Sequence, residues 1–141
     1  MLEENKALVQ RFVEEAFNKG NLDIADEVYS SRFFSHDPST PEGERGGPED
    51  VKQFVNMYRS AFPDGHTTIE DLIAEEDEVA YRWTYRGTHQ GELMGTAPTG
   101  KEVIITGITI ERISGGKIEE EWNNFDQLGM LQQLGVVPAP G

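Results

Sequence analysis

Apolar residues recur along this chain with two different periods, and the change between them divides it into a helical first half and a stranded second half. Over residues 3–18, Asn5, Leu8, Val9, Phe12, Val13, Ala16 and Phe17 follow a 3.6-residue period with charge on the opposite side, which predicts an amphipathic helix. The segment NKGN at 18–21 ends it, with Gly20 suited to a left-handed cap. A second, shorter helix is predicted over Leu22–Tyr29, capped by Asn21. Arg32–Asp37 reads as a short aromatic-rich strand stopped by Pro38. The loop that follows is punctuated by Pro38, Pro41, Gly43, Gly46 and Gly47. Loops of that length inside a domain are often functional. Pro48 then suits the first turn of a third helix, whose apolar stripe is Val51, Phe54, Val55, Tyr58 and Phe62, and Pro63-Asp64-Gly65 stops it.

Beyond this point the period becomes two. Thr67–Ile73 is predicted as a strand. In the next, Val79, Tyr81, Trp83 and Tyr85 alternate with Ala80, Arg82, Thr84 and Arg86 as far as about His89. A glycine-rich excursion at 87–100, expected to cover a pocket mouth, leads to the β-branched strand Val103–Ile113. Ser114-Gly115-Gly116 makes a hairpin turn into a last strand, and a turn of helix is expected around Gly129–Leu134. Helices first and a meandering sheet afterwards predict an α+β fold. A curved antiparallel sheet packs on three N-terminal helices and encloses a pocket, as one domain over residues 1–141. Tyr81, Trp83 and Tyr85 share one parity, and Ala80, Thr84, Ile104, Ile108 and Ile110 are hard to send to water as well, so both sheet faces look partly apolar. That predicts a homodimer or homotetramer packed through the sheet face.

The last strand, GKIEEEWNNFD at 116–126, is the most informative stretch. Strict alternation puts Ile118, Glu120, Trp122, Asn124 and Asp126 on one side, and Glu119, Glu121, Asn123 and Phe125 on the other. An aromatic, an amide and a carboxylate in a row suit a pocket wall that is mostly apolar with a few directed polar groups. A partly exposed edge strand with a surface aspartate is the plainer reading of the same pattern.

Composition narrows the partners. With 12 basic and 26 acidic residues in 141, the formal net charge is −14. That argues against nucleic acid or an anionic membrane, both of which call for clustered Lys and Arg. The absence of cysteine removes disulfides, thiolate nucleophiles and thiolate metal sites. No stretch reaches the roughly 20 apolar residues of a membrane span, and no apolar signal core opens the chain, so cytoplasmic residence is expected.

The candidates for chemistry are few. A carboxylate such as Asp126 inside an apolar pocket has its pKa raised by desolvation toward neutrality and can then take and return a proton. Trp122, with Tyr58 or Phe54 of the third helix, would supply that environment and a flat contact surface, with Trp83 and Phe34 as further substrate contacts. His36, His89 or Asn124 would polarise a carbonyl as an enolate develops. Proton abstraction beside a carbonyl, without metal or cofactor, needs one base and one or two donors, about what this chain offers. His36, His89 and Asp126 also have the types of a facial metal triad, but not its spacing. A hydrolytic triad and a phosphate loop lack their sequence context. A pocket protein that only sequesters a small apolar ligand, or a sheet that only docks a partner, are the competing classes.

Across nearly the whole length the chain resembles the SnoaL-like polyketide cyclases, the ester-cyclase branch of the NTF2-like superfamily. The resemblance rests on FxxHDP at 33–38, GGPED–V–F at 46–54, AFPDGHTTIEDLIAEEDEVAYRWTYRGTHQG at 61–91, PTGKEV at 98–103 and ISGGKIEEEWNNFDQLGMLQQLG at 113–135. It implies a cone-shaped fold with a deep pocket, usually in dimers or tetramers. It also implies ring closure of an aromatic polyketide ester by intramolecular aldol condensation. Under it the aspartate of W-x-x-x-D, Asp126, is the acid/base, and His36 and His89 are pocket residues. The cyclases also carry a histidine in the penultimate strand, where this chain has none among Gly107–Arg112. Related isomerases, dehydratases, hydrolases and hydroxylases share the fold.

Overall fold

The computed structural model describes residues 2–38 and 44–138, with residues 44 and 45 described by backbone alone. The first amphipathic stripe forms α1 (Leu2–Phe12), which runs directly into a π-helical segment at Val13–Asn18. Such wide turns are uncommon and concentrate at functional sites. Gly20 ends the helix in the left-handed conformation (φ 81°), its N–H donating to the Ala16 carbonyl at 3.0 Å. The Arg59 guanidinium lies against its bare Cα, 2.8 Å from where a Cβ would stand, and donates to the Phe17 carbonyl at 2.6 Å. A side chain at position 20 would displace that guanidinium and strain the left-handed backbone.

The second helix is shorter than its pattern suggested. α2 covers Ile24–Val28, and Tyr29 opens strand β1 (Tyr29–His36) instead of closing the helix. Pairing with the last strand overrides the local helical pattern there, since Tyr29 stands opposite Ile118 and is buried. β2 (Glu44–Gly46) was not foreseen, because a three-residue edge strand beside two glycines shows no alternation. Residues 39–43 of the expected loop lie outside the described residues. α3 (Gly47–Ala61) forms as predicted, with Pro48 in its first turn.

Then come β3 (His66–Glu75), β4 (Glu78–Thr88), β5 (Glu102–Ser114), β6 (Lys117–Phe125) and α4 (Gln127–Leu134). The six strands make one sheet in the order β2-β1-β6-β5-β4-β3. β3 to β6 form the expected antiparallel meander, with Gly115 and Gly116 at positive φ in the turn between the last two. The β1–β6 pairing is parallel, an exception to the antiparallel prediction. Parallel neighbours need a long crossover, and everything from α3 to β5 serves as one here.

The helices pack on one face of the curved sheet. Val9, Phe12, Val28, Tyr29, Val55, Val79, Tyr81 and Ile118 belong to one buried cluster, and Tyr58, Phe62, Tyr85, Ile105 and Met130 to a second. Trp83 touches both and bridges them. The opposite sheet face carries a cross-strand row, Ile73–Ala80–Ile110–Trp122–His36, with Ile73 67 % and the neighbouring Ile108 54 % exposed. No helix among the described residues is long and apolar enough to cross a membrane.

Candidate active site

Between helices and sheet lies a cavity of about 90 Å³ walled largely by aromatic rings. Phe12 and Phe17 come from the first helix, Phe54 and Tyr58 from α3, and Tyr81 and Trp83 from β4. A site of about 150 Å³ is what holds benzene. Even a single ring must therefore displace side chains, and the half-buried rings of Phe17, Phe54 and Phe125 have room to move. Apart from the tyrosine hydroxyls and the Trp83 N–H, the polar groups in the wall come from β1, β3, β5 and β6: Ser35, Thr67, Thr109, Glu121 and Asn123. Of the lining residues, Glu121 alone is ionisable in the carboxylate range, and none is basic.

These polar groups are wired together. Trp83 Nε1 donates to Thr109 Oγ1 at 2.9 Å, Thr109 donates to Asn123 Oδ1 at 2.7 Å, and Asn123 Nδ2 reaches the buried Asp37 at 3.4 Å. The chain of bonds fixes which way the Asn123 amide faces. Ser35 Oγ donates to Glu121 Oε2 at 3.0 Å. Directly across the ladder from Glu121 stands Glu111, 1 % exposed. Burial, and then the charge of Glu121 and a hydrogen bond to it, hold the Glu111 carboxyl well above the usual range. Neither of its oxygens has a hydrogen-bond donor on it among the described residues. A carboxyl–carboxyl contact becomes a hydrogen bond only when one partner carries the proton, and of the two it is Glu111 whose charged form burial disfavours. Burial first, then Glu111, also push the hydroxyls of Tyr29 and Tyr81 upward, keeping both neutral donors.

Gly107 makes room for this wall. A Cβ there would overlap the Trp83 ring and stand 2.8 Å from the Phe125 Cβ. Gly107→Ala is expected to push Trp83 into the cavity and cost about 1–3 kcal/mol. Denaturant unfolding followed by tryptophan emission reads both effects. An unshifted emission maximum with unchanged stability would mean that the indole does not lie flat on β5.

Of the residues expected at the site, Phe54, Tyr58 and Trp83 line the cavity. The others stand elsewhere, for one main reason. β6 carries a bulge: Ile113 pairs with Ile118 but Arg112 pairs with Glu120, so Glu119 is an extra residue. The parity therefore reverses after Ile118. Glu121, Asn123 and Phe125 turn inward, while Glu120, Trp122 and Asn124 turn outward, the reverse of strict alternation. Trp122 stacks on His36 on the outer face at 5.4 Å and 15°. His36 Nε2 bonds Glu120 Oε2 at 2.7 Å, and Phe34 packs edge-on against the same imidazole. His36 first and Arg112 next hold Glu120 below the usual carboxylate range. Asn124 is exposed.

Asp126 is exposed as well and caps α4, accepting the Gly129 N–H at 2.8 Å. A side chain at Gly129 would collide with that carboxylate. His89 is fully buried but away from the cavity, against Phe62, with Nδ1 accepting from the Thr99 N–H at 3.2 Å. That bond and the buried Leu93 pin the 89–100 excursion to the core, and none of its residues lines the cavity as a lid would. His36, His89 and Asp126 do not converge, and no three potential metal ligands do so among the described residues.

The residues missed were Glu111, Glu121, Asn123, Thr109, Ser35 and Asp37. For Glu111 the signal was in the sequence: it shares parity with Val103, Ile105, Thr109 and Ile113, a carboxyl on the buried side of an apolar strand.

Comparison with known proteins agrees with this architecture. The SnoaL-like polyketide cyclase family matches residues 7–134. The aklanonic acid methyl ester cyclase DnrD of Streptomyces peucetius is 31% identical over 91% of this chain and 88% of its own length. The aklanonic acid methyl ester cyclase AcmA of Streptomyces galilaeus is 32% identical over 95% and 92%. The crystal structure of AclR from Streptomyces galilaeus, a provisionally assigned hydroxylase, superposes with a TM-score of 0.87 at 30% identity, covering 100% of this chain and 87% of AclR. With an aromatic cavity under a curved sheet and a family match across most of its length, this chain belongs to the SnoaL-like polyketide cyclases.

Proposed function

We propose that the chain is a cofactor-independent, polyketide-cyclase-like enzyme that acts on an uncharged, hydrophobic carbonyl compound, with Glu121 as its acid/base. The observation that carries this is the single carboxylate in the wall of an aromatic cavity that holds no basic residue. In the first step the Glu121 carboxylate takes the proton on the carbon beside the carbonyl, and the C–H electron pair moves into the enolate. Neutral Tyr81 or Tyr29 donates to the enolate oxygen. In ring closure the enolate carbon bonds to a second carbonyl carbon of the same molecule. The resulting alkoxide recovers the proton from Glu121. In isomerisation Glu121 returns the proton to another carbon. Wall residues without positive charge favour esters and ketones over free carboxylates.

The relatives' named substrate, aklanonic acid methyl ester, and single-ring aryl β-ketoesters are the compounds to test in D₂O. Mass spectrometry and NMR would follow α-proton exchange and ring closure. Exchange above the buffer rate for at least one compound is expected. Saturable binding with no exchange would instead support the second reading, a small-molecule binding protein. That reading is favoured by Asp126, the family's implied acid/base, which sits here as a solvent-exposed helix cap. Asp126→Ala is expected to cost about 1 kcal/mol of stability through the lost cap and Asp126→Asn much less. Neither should lower exchange more than about twofold, a factor worth only about 0.4 kcal/mol of barrier.

The partner proposed for the outer sheet face is a second copy of the chain. The Ile108–Ile110–Trp122 patch lies between the ion pairs Arg82–Asp71 (2.7 Å) and Arg112–Glu120 (3.2 Å). Two chains of charge −14 repel least where such pairs neutralise the surface. Light scattering should show a dimer for wild type and a monomer for Ile108→Glu/Ile110→Glu. A wild-type monomer overturns the assignment.

A further inference from the structure

Glu111 is a buried carboxyl that the scheme above does not use, and it stands directly opposite Glu121. Two carboxyls directly opposite on neighbouring strands repel when both are charged, and this pair has no basic side chain on it among the described residues. Three elements face it. β6 brings Glu121, β1 brings Tyr29 and β4 brings Tyr81, all acids whose charged forms would oppose its own. Nothing in that shell can compensate a second negative charge. The stable arrangement is one proton on two carboxyls, as in other buried carboxyl dyads.

We infer that Glu111 and Glu121 form one shared-proton unit, in which Glu111 is the positioning residue that holds the proton and fixes Glu121 as the base facing the cavity. This rests on the reading of Glu121 as the base. The geometry gives each residue its part. Glu121 lines the cavity and has its other side held by the Ser35 hydroxyl at 3.0 Å, while Glu111 lies behind it, outside the cavity wall. Glu111 never meets substrate. It donates to Glu121 throughout the cycle and keeps the dyad at a single negative charge before proton abstraction and none after it. It also occupies the strand in which the family resemblance implies a histidine, and supplies a neutral donor there.

The test uses the full chain carrying ¹³C-carboxyl glutamate. In ligand-free wild type one carboxyl resonance is expected to titrate far above the ordinary glutamate range, and to vanish in Glu111→Gln. The second readout is the pH profile of α-proton exchange on whichever β-ketoester the wild type exchanges. Wild type should lose exchange on the alkaline side as the pair gives up its shared proton and two buried charges separate. Glu111→Gln still donates an N–H to Glu121 but cannot ionise. It should hold exchange within about tenfold of wild type, a barrier change of no more than about 1.4 kcal/mol, and show no alkaline loss. Glu111→Leu, with no donor, should be slower than Glu111→Gln at every pH. If the Leu variant fails to fold, the resonance and the Gln profile still decide.

An ordinary titration for Glu111, or an alkaline limb kept in Glu111→Gln, overturns the inference. Combined with an inactive Glu121→Gln, that result leaves Glu121 as base and removes only the dyad. A raised Glu111 titration beside a fully active Glu121→Gln would overturn the reading of Glu121, and with it the catalytic role given to the pair.

Discussion

Glu121→Gln is expected to lower α-proton exchange and ring closure by about 10²–10⁴-fold, the usual contribution of a positioned general base. The change is nearly isosteric. Glutamine keeps an oxygen to accept from Ser35 and gains an N–H₂ that Glu111 can accept, so the wall should stay intact. Substrate binding should therefore change little while turnover collapses, the pattern of an interaction lost in the transition state. Stopped-flow exchange at saturating substrate, with Kd from fluorescence quenching of Trp83, separates the two effects. Asp126→Asn is the matched control, a carboxylate removed from the same end of the chain but outside the cavity. Equal losses in both variants would point to a structural cause. An active Glu121→Gln would move the base elsewhere.

The contrast between these two residues shows where the chain was legible. Helix stripes such as Val51, Val55 and Tyr58, and the two-residue period of β4 and β5, follow from local geometry and were readable without coordinates. The aromatic wall from Phe54, Tyr58 and Trp83 could be read for the same reason. Strict alternation through β6 is what places Trp122 and Asp126 on one expected cavity side, and the family resemblance adds the acid/base role for Asp126. The bulge at Glu119 is set by the pairing of Arg112 with Glu120 and Ile113 with Ile118 across the hairpin, and strand β6 by itself does not record it. A one-residue slip exchanges the two faces of a strand. That single event turns Glu120 and Trp122, the neighbours of His36, outward and Glu121 inward. His89 was misplaced for a different reason. The chain's excursion after β4 folds back on the core through Leu93 and Thr99, contacts at a distance that no periodicity reports. The parallel β1–β6 pairing belongs to the same class, since it joins residues about ninety positions apart.

The largest effect on stability is expected at Glu111, and its sign depends on pH. In the unfolded chain Glu111 titrates near its ordinary value of 4.5, whereas burial and Glu121 raise that value in the folded protein. The folded state thus binds a proton that the unfolded state has released. Below pH 4.5 both states hold it and the full contribution is present. As pH rises, stability falls by up to about 1.4 kcal/mol per pH unit until the folded carboxyl itself ionises. Glu111→Gln removes this loss while keeping the size and the donor. Its advantage over wild type should be near zero at acid pH, grow through the range above 4.5 and level off once the wild-type pair has titrated. Carboxylates held low, such as Glu120 by His36 and Asp64 by Thr88, act in the opposite direction. Their contribution is present above the ordinary carboxylate range and lost on acidification. They are common to both proteins and cancel in the difference. Urea unfolding of wild type and Glu111→Gln at half-unit steps of pH measures it directly. A difference that does not vary with pH would mean that Glu111 ionises in the folded protein as it does in the unfolded one, and that the Glu111–Glu121 pair carries two charges.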